Sequence, residues 1–124
     1  MNLVDSSGWI EYFMNSPLAG RYEKHLQPPQ QNWVPAIVLY EVYKKIKQEK
    51  GEAAALVAVS VMQQSPVMAL DEDLALEAAD ISLRYRLAMA DAMVYASAIR
   101  QKANLITSDK DMKDLPQVIY YPKS

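Results

Sequence analysis

The chain has no cysteine among its 124 residues. Disulfide frameworks, thiol nucleophiles and thiolate metal sites are therefore excluded. A single histidine, His25, rules out a zinc centre built on several imidazoles and leaves little room for a Ser-His-Asp triad. No apolar run approaches the ~18–20 residues that a membrane helix needs, and no charged-then-apolar leader precedes a cleavage site. The expectation is a cytoplasmic protein with no membrane contact. Neither sign of charge dominates, with 13 basic and 15 acidic residues giving a net −2. If four acids share one cation, 13 basic groups face 11 remaining acids, so net charge does not exclude a nucleic-acid partner.

What is present is globular. Hydrophobic residues make up 51% and charged residues 23%, a composition that buries a core and excludes a largely disordered chain. The length suits one domain spanning residues 1–124, with no internal repeat or low-complexity tract.

Short apolar runs alternate with helical patterns along the chain. Asn2 to Asp5 reads as a buried strand, followed by a helix carrying Trp9, Ile10 and Phe13. Pro17 suits the first turn of a second helix ending near Leu26, and Gln27 to Asn32 is a proline-containing loop. Trp33-Val34 reads as a strand. A long helix from Ala36 to about Glu49 carries the stripe Val38, Val42 and Ile46. Beyond Gly51 comes an alanine-rich helix, Glu52 to Gln64, and then a strand over Pro66 to Leu70. Asp71 caps a further helix, and Met89 to Lys102 forms the last one. Strands at Leu105-Ile106 and Val118 to Tyr120 complete the pattern. Alternation of this kind predicts an α/β three-layer sandwich around a central, mostly parallel sheet.

In such sheets ligands bind outside the carboxyl ends of the strands. Asp5 and Asp109 stand at two of those ends. Two more acids interrupt apolar helical sequence. Glu41 falls about 60° from Val38 and about 100° from Val42 around its helix, and Asp91 lies within Leu87 to Val94. An acid at the edge of a buried stripe is costly unless it is paired or binds a cation. Four clustered carboxylates cannot all ionise alone. With no soft ligand available, a hard divalent ion, Mg²⁺ or Mn²⁺, is the natural partner.

Four segments carry a family resemblance over nearly the whole chain. They are Val4-Asp5-Ser6-Ser7, Tyr40-Glu41-Val42, the run Met89 to Ala98 containing Asp91, and Leu105 to Met112 containing Asp109. In this order and spacing the chain resembles the PIN domains of VapC-type toxin ribonucleases. That resemblance implies an Mg²⁺- or Mn²⁺-dependent endoribonuclease whose catalytic and metal-binding residues are Asp5, Glu41, Asp91 and Asp109. It implies an RNA substrate such as tRNA or rRNA, a homodimer, and a small VapB-like antitoxin obstructing the acidic cleft. Lys45 and Met112 depart from residues common in the family, without touching a carboxylate.

Plainer readings stand beside these. Asp5 can serve as a helix cap, Glu41 can pair with Lys44 or Lys45, and Asp91 can favour the helix macrodipole. Asp111 and Asp114 compete with Asp109, whose strand-end position favours it. Asp71 reads as a cap, Asp73 and Asp80 as solvated, and His25 as an exposed surface residue. Ser6 and Thr107 fit either turn roles or the orientation of a carboxylate. The eight tyrosines suit stacking on unpaired bases, but Tyr12, Tyr22, Tyr40 and Tyr43 occupy helical stripes and are expected to pack. Lys44, Lys45, Arg86 and Lys110 either rim the acids as phosphate contacts or form a solvated surface. The rival functions are an inactive PIN-like scaffold binding RNA or protein, and a phospho-receiver domain whose only candidate acceptor is Asp71.

Overall fold

The computed structural model describes residues 1–123. Five strands form one sheet: β1 (Asn2–Val4), β2 (Asn32–Pro35), β3 (Val67–Met68), β4 (Asn104–Thr107) and β5 (Val118–Tyr120). Their order is β3-β2-β1-β4-β5, and every pairing is parallel. Six helices flank the sheet: α1 (Ser6–Phe13), α2 (Ala19–Leu26), α3 (Ala36–Lys50), α4 (Glu52–Met62), α5 (Glu72–Tyr85) and α6 (Met89–Gln101). The result is the three-layer α/β sandwich anticipated from the alternation of elements. No helix among the described residues is long and apolar enough to cross a membrane.

Central strands of such a sheet are covered on both faces, so they bury consecutive residues rather than alternate ones. Leu3 and Val4 in β1, and Leu105 and Ile106 in β4, are all fully buried. Strand β5, on the edge, buries far less. Helix α3 meets the core through Val38, Val42 and Ile46, whose four-residue spacing keeps them on one side of the helix. Gly51, at φ 89°, ends α3 and lets the chain reverse into α4.

Three expectations need correction. Pro17 lies before α2 rather than in its first turn; Ser16 caps a turn there, its Oγ accepting from the Leu18 N–H at 3.2 Å. His25 is half-buried, because its Nε2 meets the Tyr121 hydroxyl at 2.7 Å. Burial, and then the neighbouring Lys24 charge, holds its pKa below the ordinary value. Tyr40 does not pack, being 57% exposed. It lies two residues from both Val38 and Val42, which at about 100° a residue turns it to the opposite side of α3.

Candidate active site

The strand order turns back on itself at the β1/β4 pair. Chains leaving the carboxyl ends of two such strands diverge, and a crevice opens between them. Asp5 directly follows β1, and Asp109 is the second residue after β4. Glu41 comes from α3, and Asp91 from the first turn of α6. All four acids line one cleft of about 580 Å³.

Asp5 is only 3% exposed and is held by three donors. The Ser6 N–H reaches Oδ1 at 2.8 Å, while the hydroxyls of Ser7 and Thr107 reach Oδ2 at 3.2 and 2.8 Å. Thr107 Oγ1 also accepts from the Asp109 N–H at 2.9 Å, so one hydroxyl spaces the two strand-end acids. Burial nevertheless raises the Asp5 carboxyl above its ordinary value, with Asp109 adding repulsion and the three donors opposing.

A further layer supports Ser7. Its Oγ accepts from the Ser108 N–H at 3.0 Å, and the Ser108 hydroxyl shares a hydrogen bond of 2.5 Å with the Tyr22 hydroxyl. Tyr22 is fully buried, and burial above all pushes its phenol up to about 12. Gly8 permits this packing: a Cβ there would fall 2.3 Å from the Tyr22 ring and 2.6 Å from Val4.

Asp91 is pushed up to about 7, first by burial and then by the charge of Asp109, with Asp5 and Glu41 adding to it. Burial likewise raises Glu41, reinforced by Asp5 and Asp109, with the adjacent Ser6 hydroxyl pulling the other way. Asp91, Asp109 and Asp111 each offer a carboxylate oxygen, all within 4.8 Å of one another. Asp111 is exposed, and its N–H caps Asp109 Oδ1 at 2.9 Å. The donor set is therefore all oxygen and crowded with negative charge, which fits a hard divalent cation and no soft one.

Other residues singled out in the sequence lie elsewhere. Asp71 caps α5 through the Leu74 N–H at 2.8 Å and pairs with Arg100 at 3.2 Å. It does not line the acidic cleft, which removes the basis for a receiver domain. Asp73 and Asp80 are exposed, and Arg86 ends α5 in a left-handed conformation without lining the cleft. Lys110 does line it, whereas Lys44 and Lys45 line an adjoining depression with Glu41. Ser7, Ser108, Tyr120 and Lys123 also line the cleft, and none of them was assigned a site role from the sequence. Ser7, Ser108 and Tyr120 carried a signal, each standing at or just after a strand end.

The PIN domain family model matches residues 3–118. The chain belongs to the PIN domain family. This PIN domain superposes on a toxin–antitoxin complex from Klebsiella pneumoniae with a TM-score of 0.83 at 25% identity, covering 99% of this chain and 100% of that one. It is similar to a VapC of Mycobacterium tuberculosis, described as a sarcin–ricin loop cleaving toxin, with a TM-score of 0.79 at 19% identity and coverage of 94% and 95%. A DNA-bound VapBC from Salmonella typhimurium gives 0.76 at 16% identity, covering 98% of each chain. No curated protein matches this chain significantly.

Thr107→Val tests the scaffolding of its acids. The near-isosteric side chain leaves the Asp109 N–H unpaired and removes one of the two 2.8 Å hydrogen bonds to Asp5. We expect a stability loss of about 1–3 kcal/mol in thermal melts. The Asp5 carboxyl should rise further.

Proposed function

We propose that the protein is a metal-dependent endoribonuclease, the toxin of a toxin–antitoxin pair, in one domain over residues 1–124. The observation that carries this reading is the convergence of Asp5, Glu41, Asp91 and Asp109 on one cleft, with Asp91 pushed up to about 7. Such crowding is unfavourable to the fold and is relieved by a divalent cation. Asp5, Asp91 and Asp109 would hold Mg²⁺ or Mn²⁺, with Glu41 as a ligand directly or through water. Bound there, the ion supplies Lewis-acid polarisation of a phosphodiester and a more acidic water.

The chain's own groups do the rest. Glu41 accepts a hydrogen bond from the attacking water and orients it. Thr107, Ser7 and the Ser6 N–H hold Asp5 in place from beneath. Lys110 and Lys123, on the cleft wall, provide cations for the phosphates flanking the scissile bond. No serine, threonine or cysteine nucleophile is required.

Membership of the PIN family supports ribonuclease chemistry, and the description of the mycobacterial relative supports an RNA target. The toxin–antitoxin complexes among the similar structures support an antitoxin partner. Exposed apolar side chains on α5 and α6 support docking of that partner or of a second copy in a homodimer. There Leu76, Leu83 and Met89 are 63%, 83% and 70% exposed.

The deciding experiment incubates the purified protein with total RNA in Mg²⁺ or Mn²⁺. Discrete fragments that vanish with a chelator are expected. Intact RNA from a folded, inhibitor-free preparation would overturn the nuclease and leave an RNA- or protein-binding scaffold.

A further inference from the structure

Tyr22 is a fully buried polar residue that the cleavage chemistry does not use and that lines no part of the cleft. A phenol in that setting is costly to bury unless its hydroxyl is paired. The pairing goes to Ser108, which stands between Thr107 and Asp109. A path of hydrogen bonds thus leads from α2, a helix that contributes nothing to the cleft wall, back to Asp5.

The hydroxyl protons along that path are already committed. Asp5 Oδ2 takes the single protons of both Ser7 and Thr107. None is left for the 3.4 Å approach of those two oxygens to each other. Each oxygen also accepts a backbone N–H, Ser7 from Ser108 and Thr107 from Asp109. Two successive peptide groups leaving β4 therefore hold the two hydroxyls that meet one carboxylate oxygen.

The two branches differ in what supports them. The Thr107 branch is local, with its N–H donor only two residues on. The Ser7 branch crosses from β4 to α1 over 101 residues. Its bond to Asp5, at 3.2 Å, is the longest of the three that this acid receives. Where Ser7 sits depends on where Ser108 is held.

Tyr22 holds it. Ser108 is buried as well, and among the described residues its hydroxyl pairs with Tyr22. Burial raises the phenol to about 12, with the Ser108 hydroxyl and then that of Ser7 opposing the rise. The ring is braced in turn. It fills the space that a side chain at Gly8 would need, and it meets Tyr121 edge to face at 5.5 Å and 85°. The Tyr121 N–H donates to the Thr107 carbonyl at 2.9 Å, which ties the brace to the same strand end.

We propose that Tyr22 is a positioning residue for the metal site, acting through Ser108 and Ser7 to hold Asp5 Oδ2 in place for the cation. The proposal rests on the metal-dependent endoribonuclease reading and deepens it, since affinity for the ion is then set partly by a helix that does not border the cleft.

The test is isothermal titration of the metal-free protein with Mn²⁺, alongside cleavage kinetics and thermal melts. Tyr22→Phe deletes one oxygen and keeps the ring against Gly8 and Tyr121. It should weaken Mn²⁺ binding by about tenfold, the lower end of what losing an outer partner of a metal ligand costs. Cleavage at limiting Mn²⁺ should fall with it, while the KM for RNA holds. Ser108→Ala breaks the same link from its other end and should reproduce the loss, which covers a Tyr22→Phe chain that does not fold. In a Ser7→Ala background, where the path is already cut, Tyr22→Phe should weaken Mn²⁺ binding little further. A lowered melting temperature with unchanged Mn²⁺ affinity would make Tyr22 structural only and overturn the proposal, as would losses that add in the double variant. The two readings fail separately. Tyr22-dependent Mn²⁺ binding without any RNA cleavage supports the positioning role and sinks the nuclease, whereas RNA cleavage with Mn²⁺ affinity indifferent to Tyr22→Phe sinks the positioning role alone.

Discussion

Asp5→Asn is expected to reduce RNA cleavage by about 100-fold or more while raising thermal stability in a chelator. Removing a positioned ligand of a metal site typically costs at least what removing its supporting partner does, about 10–100-fold. Here the lost group is also the anchor of the site. Asp5 receives Ser6, Ser7 and Thr107 and stands between the two central strands. The stability argument runs the other way. Burial, and the charge of Asp109, make the ionised carboxylate unfavourable in the folded chain, and a neutral amide of the same shape removes that penalty. The amide oxygen can still accept from the Ser6 N–H, and the hydroxyls of Ser7 and Thr107 can rotate to accept from the amide nitrogen. Cleavage assays and thermal melts on the same preparation check both halves. Lost activity with a lowered melting temperature would mean that Asp5 is structural instead.

The second large effect is a stability that falls with rising pH and returns with a divalent cation. An acid whose folded pKa exceeds its unfolded value binds its proton more tightly when folded. Its contribution is therefore fully present below the unfolded pKa and is lost as pH climbs through the folded one. For Asp91 that window runs from 3.8 to about 7, and Asp5 and Glu41 shift in the same direction. Asp91 is half-exposed, so solvent screening reduces its share to about 1–2 kcal/mol. In a chain of this size that corresponds to about 4–8 °C. In EDTA the melting temperature should drop between about pH 5 and pH 8. Millimolar Mg²⁺ or Mn²⁺ should restore it at the upper end and do little at the lower. His25, whose pKa is held down by burial, works in the opposite sense, so the control is Asp91→Asn. That variant should flatten most of the pH dependence and much of the response to metal. A wild-type curve that rises through this window would remove the case for charge crowding in the cleft.

Local chemistry explains why some features were legible in the chain and others were not. Asp5 and Asp109 follow short apolar runs, and a parallel sheet must place such residues at the mouth of its strands. Asp71 was legible as a cap because the cap and its helix are adjacent in sequence. The scaffolding of Asp5 was legible only as one of two roles open to Ser6 and Thr107, since the Thr107 hydroxyl reaches it from 102 residues away. Ser108 meets Tyr22 across 86 residues, through a contact that only the absence of a side chain at Gly8 allows. His25 looked like surface beside a proline-rich loop, yet Tyr121, 96 residues on, half-buries it.

Tyr40 shows the same division within a single helix. Helical periodicity marked Val38, Val42 and Ile46 as the apolar stripe, but how wide a face around it would be covered was open. Packing buried the face bearing Val38, Val42 and Ile46 and left Tyr40 in solvent. By itself, then, the sequence determined the alternation of elements, the parallel sheet and the acids at its strand ends. These follow from periodicity and from neighbours within a few residues. Only the tertiary structure decided that Glu41 and Asp91 join those acids in one cleft, which hydroxyls hold them, and which aromatic rings remain exposed. Each of those outcomes depends on which distant surfaces are buried against one another, and no local pattern encodes that.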